Sequence, residues 1–66
     1  MDSNKIAQRL RELRQYKPRR VVAEDIGISE SALTAYEMGA RVPRDEIKIK
    51  LADYYDTTVE AIFFAD

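Results

Sequence analysis

The sequence predicts an all-α domain of five short helices. Three observations carry that prediction. Apolar residues recur at helical spacing in each periodic segment. No run alternates apolar with polar as a half-buried strand would. Glycine, proline, acidic and hydroxyl residues fall between the periodic segments, where helices stop and start. The 66 residues read as one domain, 1–66, near the lower limit for folding alone. A domain of that size buries only about 60% of the surface its unfolded chain exposes.

Ile6, Leu10 and Leu13, with Ala7 beside them, place a first helix at 4–16 with Ser3 as its N-cap. Its other face carries Lys5, Arg9, Arg11, Glu12 and Gln15. Pro18 breaks that pattern and opens a second helix, 18–26, where a missing N–H costs no partner. Gly27 ends it, since glycine takes a left-handed backbone without steric cost. Ser29 is placed to cap a third helix, 30–37, with Ile28 and Leu33 as a hydrophobic staple. Met38-Gly39 stops that helix, and residues 40–43 form a loop. A fourth helix, 44–55, carries Ile47, Leu51, Ala52 and Tyr55 on one stripe and Ile49 on its flank. Asp45 and Glu46 suit its first turn, where negative charge favours the helix dipole. A turn at 56–58 leads to a short fifth helix, 59–64, capped by Thr57 or Thr58; Thr57 and Glu60 have capping-box spacing.

The segment from Arg19 to Glu37 organises the rest. It is two short helices joined by a tight turn, with small Ala23 at their crossing and Val22, Ile26, Ile28, Leu33 and Tyr36 closing one face over a core. That is the helix-turn-helix arrangement, which presents its second helix to a DNA major groove.

Composition narrows the function further. Cysteine and histidine are absent, so disulfides and the usual zinc ligands are excluded, and no metal or cofactor is expected. No apolar run approaches the ~20 residues needed to cross a bilayer, and the N-terminus is too polar for a signal peptide, so a soluble cytoplasmic protein without membrane contact is expected. An enzyme is not expected. There is no glycine-rich phosphate loop, Ser29 and Ser31 lack a base, and Asp45 and Glu46 are helix-start residues. The net charge of −1 hides an uneven distribution: +5 over residues 1–20, −2 over 21–44 and −4 over 45–66. Such a molecule can turn a basic face to phosphates; the alternative is ordinary solvated helix faces.

The segments RLRELR (9–14), VAEDIGISESAL (22–33), YEMGARVP (36–43), LADYY (51–55) and TTVEAIFF (57–64) together resemble the Cro/C1-type helix-turn-helix domains of the Xre family, which include the lambda-like phage repressors. The resemblance spans roughly residues 5–64. It implies a compact five-helix, lambda-repressor-like DNA-binding domain that regulates transcription by binding an operator, usually as a dimer. It also implies an ion pair between Arg14 and Glu37, tying the first helix to the end of the third. Two features depart from the family pattern. The first connection is shorter than is common, and Arg19 stands where the family often has a phosphate-holding glutamine. An arginine can fill that role with a full charge.

Site residues follow from the docking geometry of the motif. If Ala32, Leu33 and Tyr36 face inward, then Ser29, Glu30, Ser31, Thr34 and Ala35 are the base-reading set. Ser31 and Thr34 can exchange hydrogen bonds with base edges, the Thr34 methyl and Ala35 can meet a thymine methyl, and Glu30 can accept from a cytosine amine. Phosphate contacts are expected from Lys17, Arg19 and Arg41, then Arg20 and Arg44, with backbone N–H groups at the starts of helices 2 and 3 adding to them. Val59, Ile62, Phe63 and Phe64 are expected at a homodimer interface, because two successive phenylalanines cannot both face inward on a helix. A two-fold dimer would hold two recognition helices about 34 Å apart. The expected partner is thus a double-stranded DNA operator. The competing reading is a protein-interaction module, such as an antitoxin or anti-repressor partner, in which a regulatory protein partner is primary and DNA binding secondary. Glu30 and the acidic last third favour it slightly.

Overall fold

A computed structural model describes residues 2–66. Five helices follow one another: α1 (Ser3–Arg14), α2 (Arg19–Ile26), α3 (Glu30–Glu37), α4 (Asp45–Tyr54) and α5 (Glu60–Phe64). No strand occurs among the described residues. α1 packs against α3 and α5, while α2 packs against α3 and α4. One core joins Ile6 and Leu10 of α1, Val22, Ala23 and Ile26 of α2, Leu33 and Tyr36 of α3, Ile47, Leu51 and Ala52 of α4, and Ile62 and Phe63 of α5.

The start of α1 differs from expectation. Asp2, not Ser3, is the N-cap: its carboxylate accepts from the N–H groups of Asn4 at 2.9 Å and Lys5 at 3.3 Å. A carboxylate also answers the positive end of the helix dipole, which a hydroxyl does not. α1 stops at Arg14 rather than running to 16. Pro18 disfavours a helical residue before it, and the Lys17 N–H closes a turn on the Arg14 carbonyl at 3.1 Å. Gln15, with φ 52° and ψ −119°, takes the dihedrals of the first central residue of a type II′ turn, a position that favours glycine. Pro18 itself precedes α2 with extended backbone instead of sitting inside it.

Three helices end in one way, with a left-handed residue and a back-bonded amide. After α2, Gly27 has φ 87° and the Ile28 N–H reaches the Ala23 carbonyl at 3.0 Å. After α3, Gly39 has φ 75° and the Ala40 N–H reaches Ala35 at 3.0 Å. After α4, Asp56 takes φ 56° and the Thr57 N–H reaches Ala52 at 2.9 Å. These are Schellman-type closures. They fix the angle at which α2 hands the chain to α3. The Thr57 capping box is not formed. Thr58 Oγ1 accepts from the Ala61 N–H at 3.0 Å, and α5 then widens into a π turn in which the Ala65 N–H donates to the Glu60 carbonyl at 2.8 Å.

The four residues expected at a C-terminal interface differ in burial. Ile62 and Phe63 are both fully buried in this chain's own core, and Phe63 is the largest such side chain. A domain of this size needs both to fill the space beneath α1. Val59 is half-buried against the same core. Of the four residues only Phe64 projects outward, and Lys48 Nζ lies 5.0 Å from its ring centroid. Ile49 of α4 is likewise outward.

Candidate nucleic-acid interface

α3 begins where Ile28 folds down onto the core and Ser29 turns its hydroxyl back to accept from the Ala32 N–H at 3.0 Å. With Leu33 and Tyr36 buried, the opposite side of α3 is left to solvent. Ser29, Glu30 and Ser31 are exposed, and Thr34 and Ala35 are half-buried. Ser31, Thr34 and Ala35 thus make a row along the outer side of α3. Met38, 68% exposed, continues that row one turn on. It was not among the expected site residues, although its spacing of seven from Ser31 repeats the helical face. Ser29 is engaged as a cap, so its hydroxyl is less available to a base than those of Ser31 and Thr34.

Around that row the basic residues divide into two groups. Arg41 and Arg44 line a hollow along one flank of α3, together with Ser29, Ala32, Tyr36 and Val42. The Arg41 guanidinium stands 5.5 Å from the centroid of the Tyr36 ring, an inward-facing residue of α3. Arg44 has one loose contact, 3.8 Å from Glu46, with both side chains largely in solvent. Exposed pairs of this kind contribute little. Arg20 is similar, paired with Glu24 one helical turn away at 3.2 Å.

The remaining two expected phosphate contacts, Arg19 and Lys17, have partners within the chain. Glu37 ends α3 with a side chain that has no exposed surface, and it accepts from two arginines. Arg14 Nε lies 2.8 and 3.1 Å from its two carboxylate oxygens, and Arg19 Nε lies 2.8 Å from Oε1. The hydrogen bond to Glu37 also pushes the Arg14 guanidinium further toward its charged form. Arg11 donates to the Glu37 main-chain carbonyl, so three arginines converge on the last residue of α3. The structure therefore gives Arg19, expected as a phosphate contact, an internal partner as well. Lys17 is also engaged. Its ammonium lies 3.0 Å from the Tyr54 hydroxyl, which donates to Asp25 Oδ2 at 2.7 Å. The Tyr54 contact raises the Lys17 pKa above its ordinary value. The chain of three ties the first connection and α2 to α4.

The basic first third of the sequence is thus only partly a free face. Arg9, Arg11, Arg14, Lys17 and Arg19 all bind other parts of the chain. Charge counting could not reveal this, because a guanidinium that reaches a distant carbonyl looks the same in sequence as a solvated one. Among the described residues, no helix is long and apolar enough to cross a membrane.

No curated protein and no solved structure gives a significant match to the chain. A family model described as a helix-turn-helix domain matches residues 5–62, which takes in all of α2 to α4 and the turn at Gly27. By that match and by the capped, outward-facing α3, the chain belongs to the helix-turn-helix domain family of DNA-binding proteins.

Proposed function

We propose that this protein is a sequence-specific transcriptional regulator of the Cro/C1 type in the Xre family, a repressor that binds a palindromic operator as a homodimer. The observation that carries the reading is the outer row of α3, with Ser31, Thr34 and Ala35 beside a hollow edged by Arg41 and Arg44. Base edges take the row, and phosphates of one strand take the two arginines and the N–H groups at the start of α3. Glu30 accepts from the exocyclic amine of a cytosine. The dimer contact falls to Phe64, with Ile49 as its exposed apolar companion, since Ile62 and Phe63 are spent on the core.

Selection of bound sites from random duplex DNA tests the reading. It should return two inverted half-sites whose centres lie about one helical turn, or a multiple of it, apart. The Thr34→Ala variant should change the preferred base at one position per half-site. Arg41→Ala should weaken all sequences alike and lower the salt slope by about 1. Enrichment of no sequence, or of single sites without symmetry, contradicts the operator-binding dimer.

A further inference from the structure

The buried carboxylate of Glu37 joins two arginines that come from different elements and are used differently. Arg14 gives Nε to both carboxylate oxygens and Nη1 to the Lys17 carbonyl at 2.9 Å. Arg19, the first residue of α2, gives only Nε, to Oε1 at 2.8 Å. The rest of its guanidinium has no hydrogen-bond partner among the described residues, and 34% of the side chain is exposed, twice the 17% of Arg14. A guanidinium is a rigid planar fork. With its Nε edge fixed on a buried carboxylate, its two terminal nitrogens are fixed in direction too.

We propose that Glu37 is a positioning residue for DNA binding: it aims the terminal nitrogens of Arg19 at a backbone phosphate beside the start of α2. The inference rests on the DNA-binding reading above and adds a residue that touches no DNA. Glu37 belongs to α3 itself, so the phosphate grip at α2 and the base-reading row share one rigid reference. A lysine at 19 could bring the charge but not the rigid fork that fixes the direction of the free donors. The inference also reverses the simple electrostatic expectation. Glu37 is a negative charge in a DNA-binding domain, and removing it would by Coulomb attraction alone strengthen binding. Removing a positioning carboxylate weakens it.

The test measures affinity for a random-sequence duplex across a salt series, by fluorescence anisotropy, for wild type, Arg19→Ala, Arg19→Lys, Glu37→Gln and the Arg19→Ala/Glu37→Gln double variant. Urea melts first establish that each is folded. Arg19→Ala should lose about tenfold in affinity, as for one charge-assisted hydrogen bond. The slope of log K against log salt should fall by about 0.9, one phosphate. Glu37→Gln should lose affinity in the same direction, and should add no further loss once Arg19 is gone. Glu37→Gln binding as tightly as wild type, or Arg19→Ala keeping the full slope, overturns the inference. If Glu37→Gln does not fold, Arg19→Lys decides, because Arg14 still holds Glu37 in that variant. A loss close to that of Arg19→Ala supports positioning, and wild-type affinity in Arg19→Lys overturns it. Failure of wild type itself to bind the duplex at low salt overturns the DNA-binding reading, and this inference with it.

Discussion

Arg9 and Ile62 hold the two ends of the chain together. The Arg9 guanidinium donates to the Ile62 carbonyl at 2.9 Å and to the Ala65 carbonyl at 2.7 Å. The last carbonyls of a helix have no partner within it, and a cation at that end also answers the helix dipole. A residue of the first helix therefore caps the last one, and the core contribution of Ile62 and Phe63 depends on it. Arg9→Ala should cost about 2 kcal/mol, the range for hydrogen bonds to a charged group. Hydrogen exchange should quicken at the Ala65 amide, which closes α5, before it quickens in α2 or α3. Uniform exchange changes across the chain would contradict a local capping role.

Glu37 sets the second expectation. Glu37→Ala leaves two guanidinium groups without a buried partner and opens a gap where α1, α2 and α3 meet. Breaking a buried pair in this way costs about 3–5 kcal/mol. Arg14→Ala should cost more than Arg19→Ala, because Arg14 is the less exposed and binds both oxygens. Urea denaturation of the three variants gives the order. An unchanged midpoint in Glu37→Ala and Arg14→Ala would remove the ion pair from the account of the fold.

Two turn positions carry residues that their backbone does not favour. Gln15 and Asp56 are the only non-glycine residues with positive φ among the described residues. Gln15→Gly and Asp56→Gly should each stabilise by a few tenths to about 1 kcal/mol, less the flexibility glycine adds to the unfolded chain. The opposite change should be costly at Gly39, where a Cβ would lie 3.3 Å from both Asn4 Oδ1 and the Ser3 carbonyl oxygen. At Gly27 nothing among the described residues lies within 4 Å of the added Cβ, so Gly27→Ala should cost only what its φ imposes. Thermal melts of the four variants check the ranking, and a Gly27→Ala loss larger than that of Gly39→Ala would contradict it.

Tyr55 sets an alkaline limit. Its buried hydroxyl oxygen has no hydrogen-bond partner among the described residues, and burial, reinforced by the Glu37 charge, pushes its pKa up to about 12. In the unfolded chain the phenol ionises near its ordinary value of 10.0. Stability is therefore independent of this group below pH 10 and falls as pH rises from there toward 12, since only the unfolded state releases the proton. The raised Lys17 pKa acts in the same direction, so some alkaline loss remains without Tyr55. Tyr55→Phe should flatten the alkaline limb and, by removing an unsatisfied buried hydroxyl, stabilise at neutral pH by about 1 kcal/mol. An alkaline limb as steep as that of wild type would contradict the assignment.

Periodicity and punctuation made most of the fold legible in the sequence. The bounds of α3 follow from Ser29 and from the Met38-Gly39 stop, both local signals, and the core faces follow from helical spacing. The departures from expectation have two origins, choices between neighbouring caps and tertiary partners. Asp2 and Ser3 are comparable caps by residue type, and the charge of Asp2 adds a favourable interaction with the helix dipole; Thr58 caps α5 because the closure at Asp56 takes the Thr57 N–H. Ile62 and Phe63 read as an apolar surplus until α5 is seen to close the core beneath α1. The dual engagement of Arg19 was out of reach, since nothing in the spacing of 18 residues between it and Glu37 indicates that the two meet.

Entry of the outer row of α3 into the major groove can be read from an amide chemical-shift map. Labelled protein would be titrated with the duplex recovered by site selection, and the shifted amides placed on the fold. The largest changes should fall at Ser31, Thr34 and Ala35 and at the loop carrying Arg41, with Ile6 and Leu10 in the core unmoved. Largest changes at Ile49 and Phe64 instead, with the α3 row silent, would contradict it.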